Sequence, residues 1–258
     1  MFANWWEDPT LIFWIAGFVA FYFLGTPLLI LLGQKMSADP ACEELKLHAL
    51  DPQISQFLME KTNELYELGF DEPTLIHMPS PVAGVKGYLI MLVNRPAGDK
   101  VMVTALASES AAIQTWYVEF STRYVTNQCV DTLNSAELSA FIQGPENIRS
   151  QVPSVTDVGE LYRLHQYRMK TSGITAKKML YEPGQAIAYL KEVAIKKSYD
   201  EQVAKGWLRC DTAENCYRPT IKGAYLMTWG LLYPMKYFRM MAMKRREVEL
   251  LAAFRASQ

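Results

Sequence analysis

Hydrophobic residues are most concentrated near the start of the chain, between Leu11 and Gly33. These 23 consecutive positions contain no Asp, Glu, Lys, Arg or His. A helix needs about 20 apolar residues to cross a bilayer, because its backbone groups must be hydrogen-bonded without water. The pattern therefore predicts a transmembrane anchor over residues 1–34, in which the lipid-contacting side chains include Leu11, Phe18, Phe21, Leu28 and Leu32.

The residues on either side of this stretch favour an uncleaved anchor over a signal peptide. A secretory signal begins with basic residues, whereas the ten residues before Leu11 contain Glu7 and Asp8 and no Lys or Arg. Lys35 and Lys46 lie just after the stretch, and basic flanks tend to stay in the cytoplasm. We therefore expect a single-pass membrane protein with its N-terminus outside and the bulk of the chain in the cytoplasm.

After a polar juxtamembrane linker over residues 35–50, the pattern predicts an α+β sheet domain over residues 51–135. A helix is expected from Asp51, its N-cap, to Gly69, because apolar residues recur there every three or four positions. The alternation that follows is typical of an antiparallel sheet of about five strands. The expected strands are residues 74–78, 87–93, 101–107, 113–124 and 129–133.

The rest of the chain reads as an irregular connector over residues 136–155 and a helical part over residues 156–258. Asp157 or Thr156 can cap one helix, and a second is expected between Gly184 and Lys205. A hairpin over residues 206–220 then leads into a final helix capped by Thr220. The overall fold class is α+β, with an N-terminal transmembrane helix and a helical C-terminal part.

The final helix changes character along its length, from apolar to basic, with Pro234 expected to kink it between the two. A full membrane span is disfavoured because two charges would fall inside any suitable window. An amphipathic helix at or partly in the membrane surface is favoured, and an ordinary core helix with a basic tail stays open. The residues expected to contact the membrane surface are Trp229, Tyr233, Lys236, Arg239, Lys244, Arg245 and Arg246.

Composition adds few constraints on chemistry. The 26 basic and 27 acidic residues give a net charge of −1, which argues neither for nucleic acid nor for a polyanionic surface as a partner, and nucleic acid is not expected. Four cysteines are too few for a disulfide framework, although Cys210 and Cys216 lie close together along the predicted hairpin. His48, His77 and His165 are scattered singly, so the sequence predicts no metal site. It also indicates no cofactor.

Residues 206–223 resemble the wing of winged-helix regulators. A glycine and an aromatic residue end a helix, a short hairpin follows, and Tyr217-Arg218-Pro219-Thr220-Ile221-Lys222-Gly223 opens the next helix. The helix before the hairpin mixes lysines with acidic residues, unlike a phosphate-binding surface. The whole chain is also similar to uncharacterised bacterial single-span membrane proteins with this C-terminal ending, and that resemblance implies no activity.

The sequence contains no nucleophile elbow, phosphate-binding loop, dinucleotide-binding glycine motif or H-E-x-x-H motif. The sequence therefore favours an accessory or scaffold protein, without catalysis, whose partners are membrane lipids and other membrane or cytoplasmic proteins. Two alternatives stay open. One is a membrane-tethered regulator built on the wing-like segment, and the other is an enzyme whose site is assembled from distant residues.

Overall fold

The computed structural model describes residues 9–46, 50–82, 85–108, 113–141 and 143–258. Within these residues the chain forms two compact units. Unit 1 consists of residues up to Asp39 together with residues 139–141 and 198–239. Unit 2 consists of residues 40–138, 142–197 and 240–258. The α+β class is confirmed.

Unit 1 begins with one continuous helical stretch, which confirms the helix predicted over the first hydrophobic run. It comprises α1 (Pro9–Ala20), a π-helical turn (Phe21–Gly25) and α2 (Thr26–Gly33). The π-helical turn directly precedes Pro27, whose missing N–H and bulky ring disturb ordinary α-helical bonding. We call residues Thr10–Gly33 the anchor helix. It is the one described helix that is long and apolar enough to cross a membrane.

The rest of unit 1 contains a small sheet and a second apolar helix. Strand β1 (Met36–Ser37) pairs with β11 (Cys216–Pro219), which also pairs with β10 (Leu208–Asp211). The hairpin expected over residues 206–220 is therefore present, with a third strand supplied by the predicted linker. Helix α7 (Ile221–Leu231) follows at once, and the Oγ1 of its predicted cap, Thr220, accepts a hydrogen bond from the Gly223 N–H at 3.0 Å.

Unit 2 is built on a sheet of eight strands, so the prediction of about five strands is wrong. All five predicted strands are present, each at least as long as expected. The three additional strands are β2 (Glu43–Glu44), β8 (Asn147–Gln151) and β9 (Lys178–Met179). Two of these are only two residues long, and β8 lies among Gly144, Pro145 and Pro153, which read as a loop.

The longer strands of unit 2 form a meander in chain order. They are β3 (Asp71–Val82), β4 (Val85–Asn94), β5 (Asp99–Ser108), β6 (Ile113–Tyr124) and β7 (Cys129–Leu133). Strand β2 pairs with β3, β8 pairs with β7 in parallel, and β9 pairs with the end of β6. A parallel pair cannot be joined by a tight hairpin, and here thirteen residues separate the two strands.

One face of this sheet is covered by helix α3 (Pro52–Glu67), helix α4 (Val158–Ser172) and the end of α8 (Met235–Ala256). The predicted caps are present: Asp51 accepts from the Gln53 N–H at 2.9 Å, and Asp157 accepts from the Glu160 N–H. The fully buried core residues of this face include Leu58, Phe70, Val103, Phe120, Leu161 and Leu164.

The helix predicted between Gly184 and Lys205 comprises α5 (Ala186–Tyr189), a π-helical segment (Leu190–Lys196) and α6 (Lys197–Ala204). Its residues from 198 onward belong to unit 1. The part before residue 198 covers the opposite face of the sheet. A second, smaller apolar core lies under this helix and contains Ile76, Leu89, Met91, Val93, Tyr181 and Leu190.

The final helical region consists of two helices, separated at residues 232–234 where the sequence predicts a kink. Pro234 follows a cis peptide bond to Tyr233. Residues 235–239 of α8 belong to unit 1 and the remainder to unit 2, where Leu251 and Phe254 join the larger core.

Candidate functional site

The side chains of the anchor helix face outward from unit 1 along nearly its whole length. Only 6% of its most hydrophobic window is buried. Of the residues expected to contact lipid, Leu11 is half-buried and the other four are exposed, with Phe18 at 69%. A row of exposed Leu, Ile and Phe side chains is costly in water, since each buried CH₂ group is worth about 0.8 kcal/mol.

Helix α7 packs along α2, the second half of the anchor helix. The indole ring of Trp229 lies 4.7 Å from the ring of Phe23 and 5.5 Å from that of Tyr22, measured between centroids. The Tyr22 hydroxyl donates to the Tyr233 carbonyl. Since α7 begins beside β1, at the end of the anchor helix, these contacts show that α7 returns along it in the antiparallel direction.

Gly223 is required for the start of α7 to pack as it does. A Cβ atom at this position would lie 1.8 Å from the carbonyl oxygen of Trp207, which is a fixed backbone atom. The same carbonyl accepts hydrogen bonds from the Thr220 N–H and from the Thr220 hydroxyl. The hairpin and α7 are therefore held together by a close backbone contact that admits no side chain.

Four of the predicted membrane-surface residues lie in or next to the turn between α7 and α8. Tyr233 is 64% exposed and Lys236 is also exposed, whereas Trp229 is half-buried. The Arg239 guanidinium donates to the Gly230 carbonyl at 2.7 Å and to the Ser139 carbonyl at 2.8 Å. Arg239 thus closes the turn from within unit 1, a role that its position in a basic run did not indicate.

The other three predicted membrane-surface residues lie further along α8, in unit 2. Lys244, Arg245 and Arg246 are all exposed, and Arg245 forms an ion pair with Glu249 at 2.9 Å. On the buried side of the same helix, Glu247 accepts hydrogen bonds from the backbone N–H and the hydroxyl of Ser154. The basic residues are therefore available to anionic groups.

A buried polar network in unit 2 is centred on the carboxylate of Asp99. Thr122 donates to it at 2.8 Å, Lys178 at 2.8 Å and Tyr162 at 3.1 Å. The imidazole of His165, which is 0% exposed, lies 2.9 Å from the Thr122 hydroxyl through Nε2 and 3.1 Å from the Thr132 hydroxyl through Nδ1.

These contacts determine the protonation state of His165. The single hydroxyl proton of Thr122 is donated to Asp99, so Nε2 of His165 must donate to Thr122 and Nδ1 must accept from Thr132. Burial lowers the pKa of His165 to about 4, so the imidazole is neutral at pH 7. Burial, assisted by the adjacent Asp99 carboxylate, raises the pKa of Tyr162 to about 12. Every hydrogen-bonding group of the imidazole is satisfied internally.

A second polar group lies on the opposite face of the same sheet. Strand register places Lys100, Ser121, Asp131 and Arg149 in one row, with Arg123 and Cys129 in the next. Burial lowers the pKa of Lys100 to about 8, although its ammonium group donates to the Met179 carbonyl at 3.1 Å. Burial also raises the pKa of the Cys129 thiol, which makes the thiol a poor nucleophile.

The two hairpin cysteines face opposite sides of their strand pair. Cys210 pairs with Tyr217 and Cys216 with Asp211, and adjacent pairs point to opposite faces of a sheet. Both thiols are free, Cys210 exposed and Cys216 buried. Cys216 does approach Asp211 and Glu214 closely enough to form a three-ligand group. Both carboxylates form ion pairs with Arg218, and Glu214 forms a second one with Lys35. These basic side chains already neutralise the carboxylates that a metal ion would need.

His77 contacts residues of the two neighbouring strands, β4 and β2. The ring of His77 stacks on Tyr88 with centroids 5.0 Å apart, and its Nδ1 lies 3.8 Å from a Glu43 carboxylate oxygen. His48 lies outside the described residues. The burial and internal hydrogen bonds of His165 are those of a structural residue. The sequence does not reveal the role of Asp99, because a Pro-Ala-Gly-Asp turn gives no sign of burial.

The fold and these sites define an α+β protein. In the part of the chain that the structure describes, one helix is long and apolar enough to cross a membrane. Comparison of the chain with protein-family models, with curated proteins and with solved structures finds no match.

Proposed function

We propose that this chain is a single-pass membrane protein that holds unit 2 at the membrane as a scaffold for protein contacts, with no catalysis of its own. The observation that carries the proposal is the exposure of the anchor helix, of which only 6% of the most hydrophobic window is buried. The core helix of a soluble protein would be mostly buried. Lipid chains are the environment in which this surface costs nothing.

The packing of unit 1 supports an anchor that is retained. Helix α2 contacts α7, and β1, which follows directly, pairs with β11. Removal of residues up to Gly33 would take away α2, the helix that packs along α7. A cleaved signal peptide has no such structural role in the mature protein.

The chemistry of unit 2 supports a scaffold. Its buried histidine is neutral and fully hydrogen-bonded, and its Cys129 thiol has a raised pKa. These groups stabilise the sheet domain and are poorly suited to proton transfer or nucleophilic attack. The exposed basic residues Lys244, Arg245 and Arg246 suit contact with anionic lipid headgroups.

Extraction and protease protection test the membrane part of the proposal. The full chain should stay in the membrane fraction at alkaline pH. A C-terminal tag should be shielded from external protease in intact cells, and a tag after Met1 should be cleaved. The variant Phe18→Lys with Phe21→Lys should become extractable, because each lysine near the bilayer centre costs about 3 kcal/mol. Val248→Lys, a change of an equally exposed apolar residue in unit 2, should not.

The scaffold part has a separate test. The tagged full chain, purified in mild detergent after crosslinking in cells, should carry along specific membrane or cytoplasmic proteins. Recovery of the chain without any partner, together with release from the membrane by alkali, would overturn the proposal. Recovery without a partner from a chain that resists alkali would leave the anchor and remove the scaffold role.

A further inference from the structure

We infer that α7 and the first residues of α8 form a re-entrant hairpin, which enters the membrane beside the second half of the anchor helix and leaves on the same side. Its partner is the hydrocarbon of one leaflet. The inference rests on the proposed function, because the depth of the hairpin is measured against an anchor helix that spans the bilayer. It adds a second membrane-inserted segment.

The contacts of Tyr22 and Phe23 set the depth of the hairpin turn. Both rings contact Trp229, and Tyr22 donates to the Tyr233 carbonyl. Tyr22 lies eleven residues before the end of the anchor helix, which is about 16 Å at 1.5 Å per residue. The 24-residue helix is about 36 Å long and the hydrocarbon about 30 Å thick, so all but about 6 Å of it must lie inside. The turn is then at least about 10 Å deep.

Several backbone carbonyls at the end of α7 and in the turn accept hydrogen bonds from the protein, which lowers the cost of placing them in hydrocarbon. The last carbonyls of a helix have no partner within the helix. Here the Gly230 carbonyl accepts from Arg239 and the Tyr233 carbonyl accepts from Tyr22, a residue of the anchor helix itself. The Thr228 hydroxyl donates to the Ala224 carbonyl at 2.8 Å. Non-helical backbone at this depth is stable only when such partners exist.

The exposed surface of the hairpin is apolar and continues that of the anchor helix. Its exposed large side chains are Ile221, Tyr225, Tyr233, Met235, Tyr237 and Phe238. Lys222 lies in the first turn of α7, at the membrane surface. Lys236 is exposed near the deep end, and its four-carbon stem allows the ammonium group to reach toward the headgroups. The Arg239 guanidinium donates to two carbonyls, which partly offset the cost of removing its charge from water.

The length of the hairpin excludes a second span. From Ile221 to Lys236 the chain could reach only about 22 Å as a helix, less than the hydrocarbon thickness. Residues from Met240 onward belong to unit 2. The hairpin therefore enters and leaves on one side.

Site-resolved cysteine labelling of the full chain in phosphatidylcholine vesicles tests the inference. A membrane-impermeant maleimide is applied, and peptide mass spectrometry reports each site separately. Cys210, which is exposed, serves as an internal standard for a thiol in contact with water. The variants are Ile221→Cys, Tyr225→Cys and Tyr233→Cys, with Phe18→Cys for the anchor helix and Ala213→Cys as an exposed control.

The expected result is a gradient along α7. Ala213→Cys and Ile221→Cys should react at rates close to that of Cys210, and Tyr233→Cys about tenfold more slowly, with Tyr225→Cys between them. The protein alone cannot protect Tyr233→Cys, since the residue is 64% exposed. All sites should react after unfolding in sodium dodecyl sulfate.

Other outcomes overturn the inference in distinguishable ways. If Phe18→Cys is protected while Tyr233→Cys reacts as fast as Cys210, the anchor spans the membrane but the hairpin lies in water. Equal, partial protection at positions 221, 225 and 233 would indicate a hairpin lying in the membrane plane. If Phe18→Cys also reacts freely, the membrane proposal itself fails.

Discussion

Three side chains of unit 2 donate hydrogen bonds to the carboxylate of Asp99. One of them, Thr122, is also hydrogen-bonded to the fully buried His165. A buried carboxylate loses its hydration, and only close donors offset that loss. The network therefore stabilises the fold as long as each member is present. The stability of unit 2 should accordingly depend on pH and on each of these side chains.

Acid should destabilise unit 2 through His165. Its pKa in the folded state is about 4, below the ordinary value of 6.5, so the unfolded chain takes up the proton first as the pH falls. This group should lower the free energy of unfolding by about 2 kcal/mol between pH 7 and pH 5, and further toward pH 4. Thermal unfolding of the full chain in detergent, followed by near-ultraviolet circular dichroism, measures the effect.

The variant His165→Gln should be less stable at pH 7 and should show a flatter dependence of stability on pH. Arg163→Gln, an exposed change on the same helix, should keep the wild-type dependence. An unchanged pH dependence in His165→Gln would contradict the assignment.

Loss of the Thr122 hydroxyl should be costly. Thr122→Val keeps the shape but removes one donor to Asp99 and the acceptor for His165, so we expect a loss of about 1 to 3 kcal/mol. Thr62→Val is the matched control, because the equally buried Thr62 hydroxyl bonds only the Leu58 carbonyl of its own helix. Equal destabilisation of the two variants, measured by chemical denaturation, would refute a special role for Thr122.

For single residues, the sequence reveals helix caps better than it reveals buried hydrogen-bond networks. Asp51, Asp157 and Thr220 were predictable because a cap depends on the residues that follow it directly. The partners of Asp99 come from positions 122, 162 and 178, and no local pattern connects them. A turn aspartate reads as a solvated residue until the fold brings these donors to it.

Among the elements, α7 depends most on close packing, and Gly223 is where that dependence can be tested. Gly223→Ala would place a methyl group 1.8 Å from the Trp207 carbonyl, so the hairpin and α7 would have to separate. We expect a loss of about 1 to 3 kcal/mol, seen as a lower thermal midpoint and faster proteolysis within residues 206–232. Gly17→Ala, which meets nothing within 4 Å, should leave both unchanged.

The long elements were predictable from periodicity, and the short ones were not. Strand β6 alternates over twelve residues, whereas β2 and β9 have two residues each, too few for any period. Strand β8 pairs in parallel with β7 and is bordered by glycine and prolines, so its pairing is set by the sheet and not by its own residues.

For the whole molecule, the basic surface of α8 should determine how the membrane-attached protein responds to lipid charge. Replacing Lys244, Arg245 and Arg246 by Gln should reduce the number of phosphatidylglycerol molecules retained in native mass spectrometry, since each basic residue near an anionic surface contributes about 1 kcal/mol. The same replacement at Arg163, Lys170 and Lys177, three other exposed basic residues, is the control. Equal loss in both variants would indicate a nonspecific charge effect.

The division into two units was not visible in the sequence, because each unit is assembled from separated segments. The composition changes sharply only at the end of the anchor helix, yet residues 198–239 join it in unit 1. Their apolar side chains could be assigned to a core or to a membrane on composition alone. Only the pairing of β1 with β11 and the contact of α2 with α7 decide the grouping.

That interleaving has a practical consequence for anyone who wishes to express the protein in pieces. The chain passes between the two units five times, after Asp39, Leu138, Phe141, Lys197 and Arg239. No single cut yields either unit whole. A fragment that starts after the anchor helix would keep α7 but lose the helix beside it, and should aggregate. A version of unit 2 without the anchor helix would instead require removal of residues 1–39 and a polar linker in place of residues 198–239.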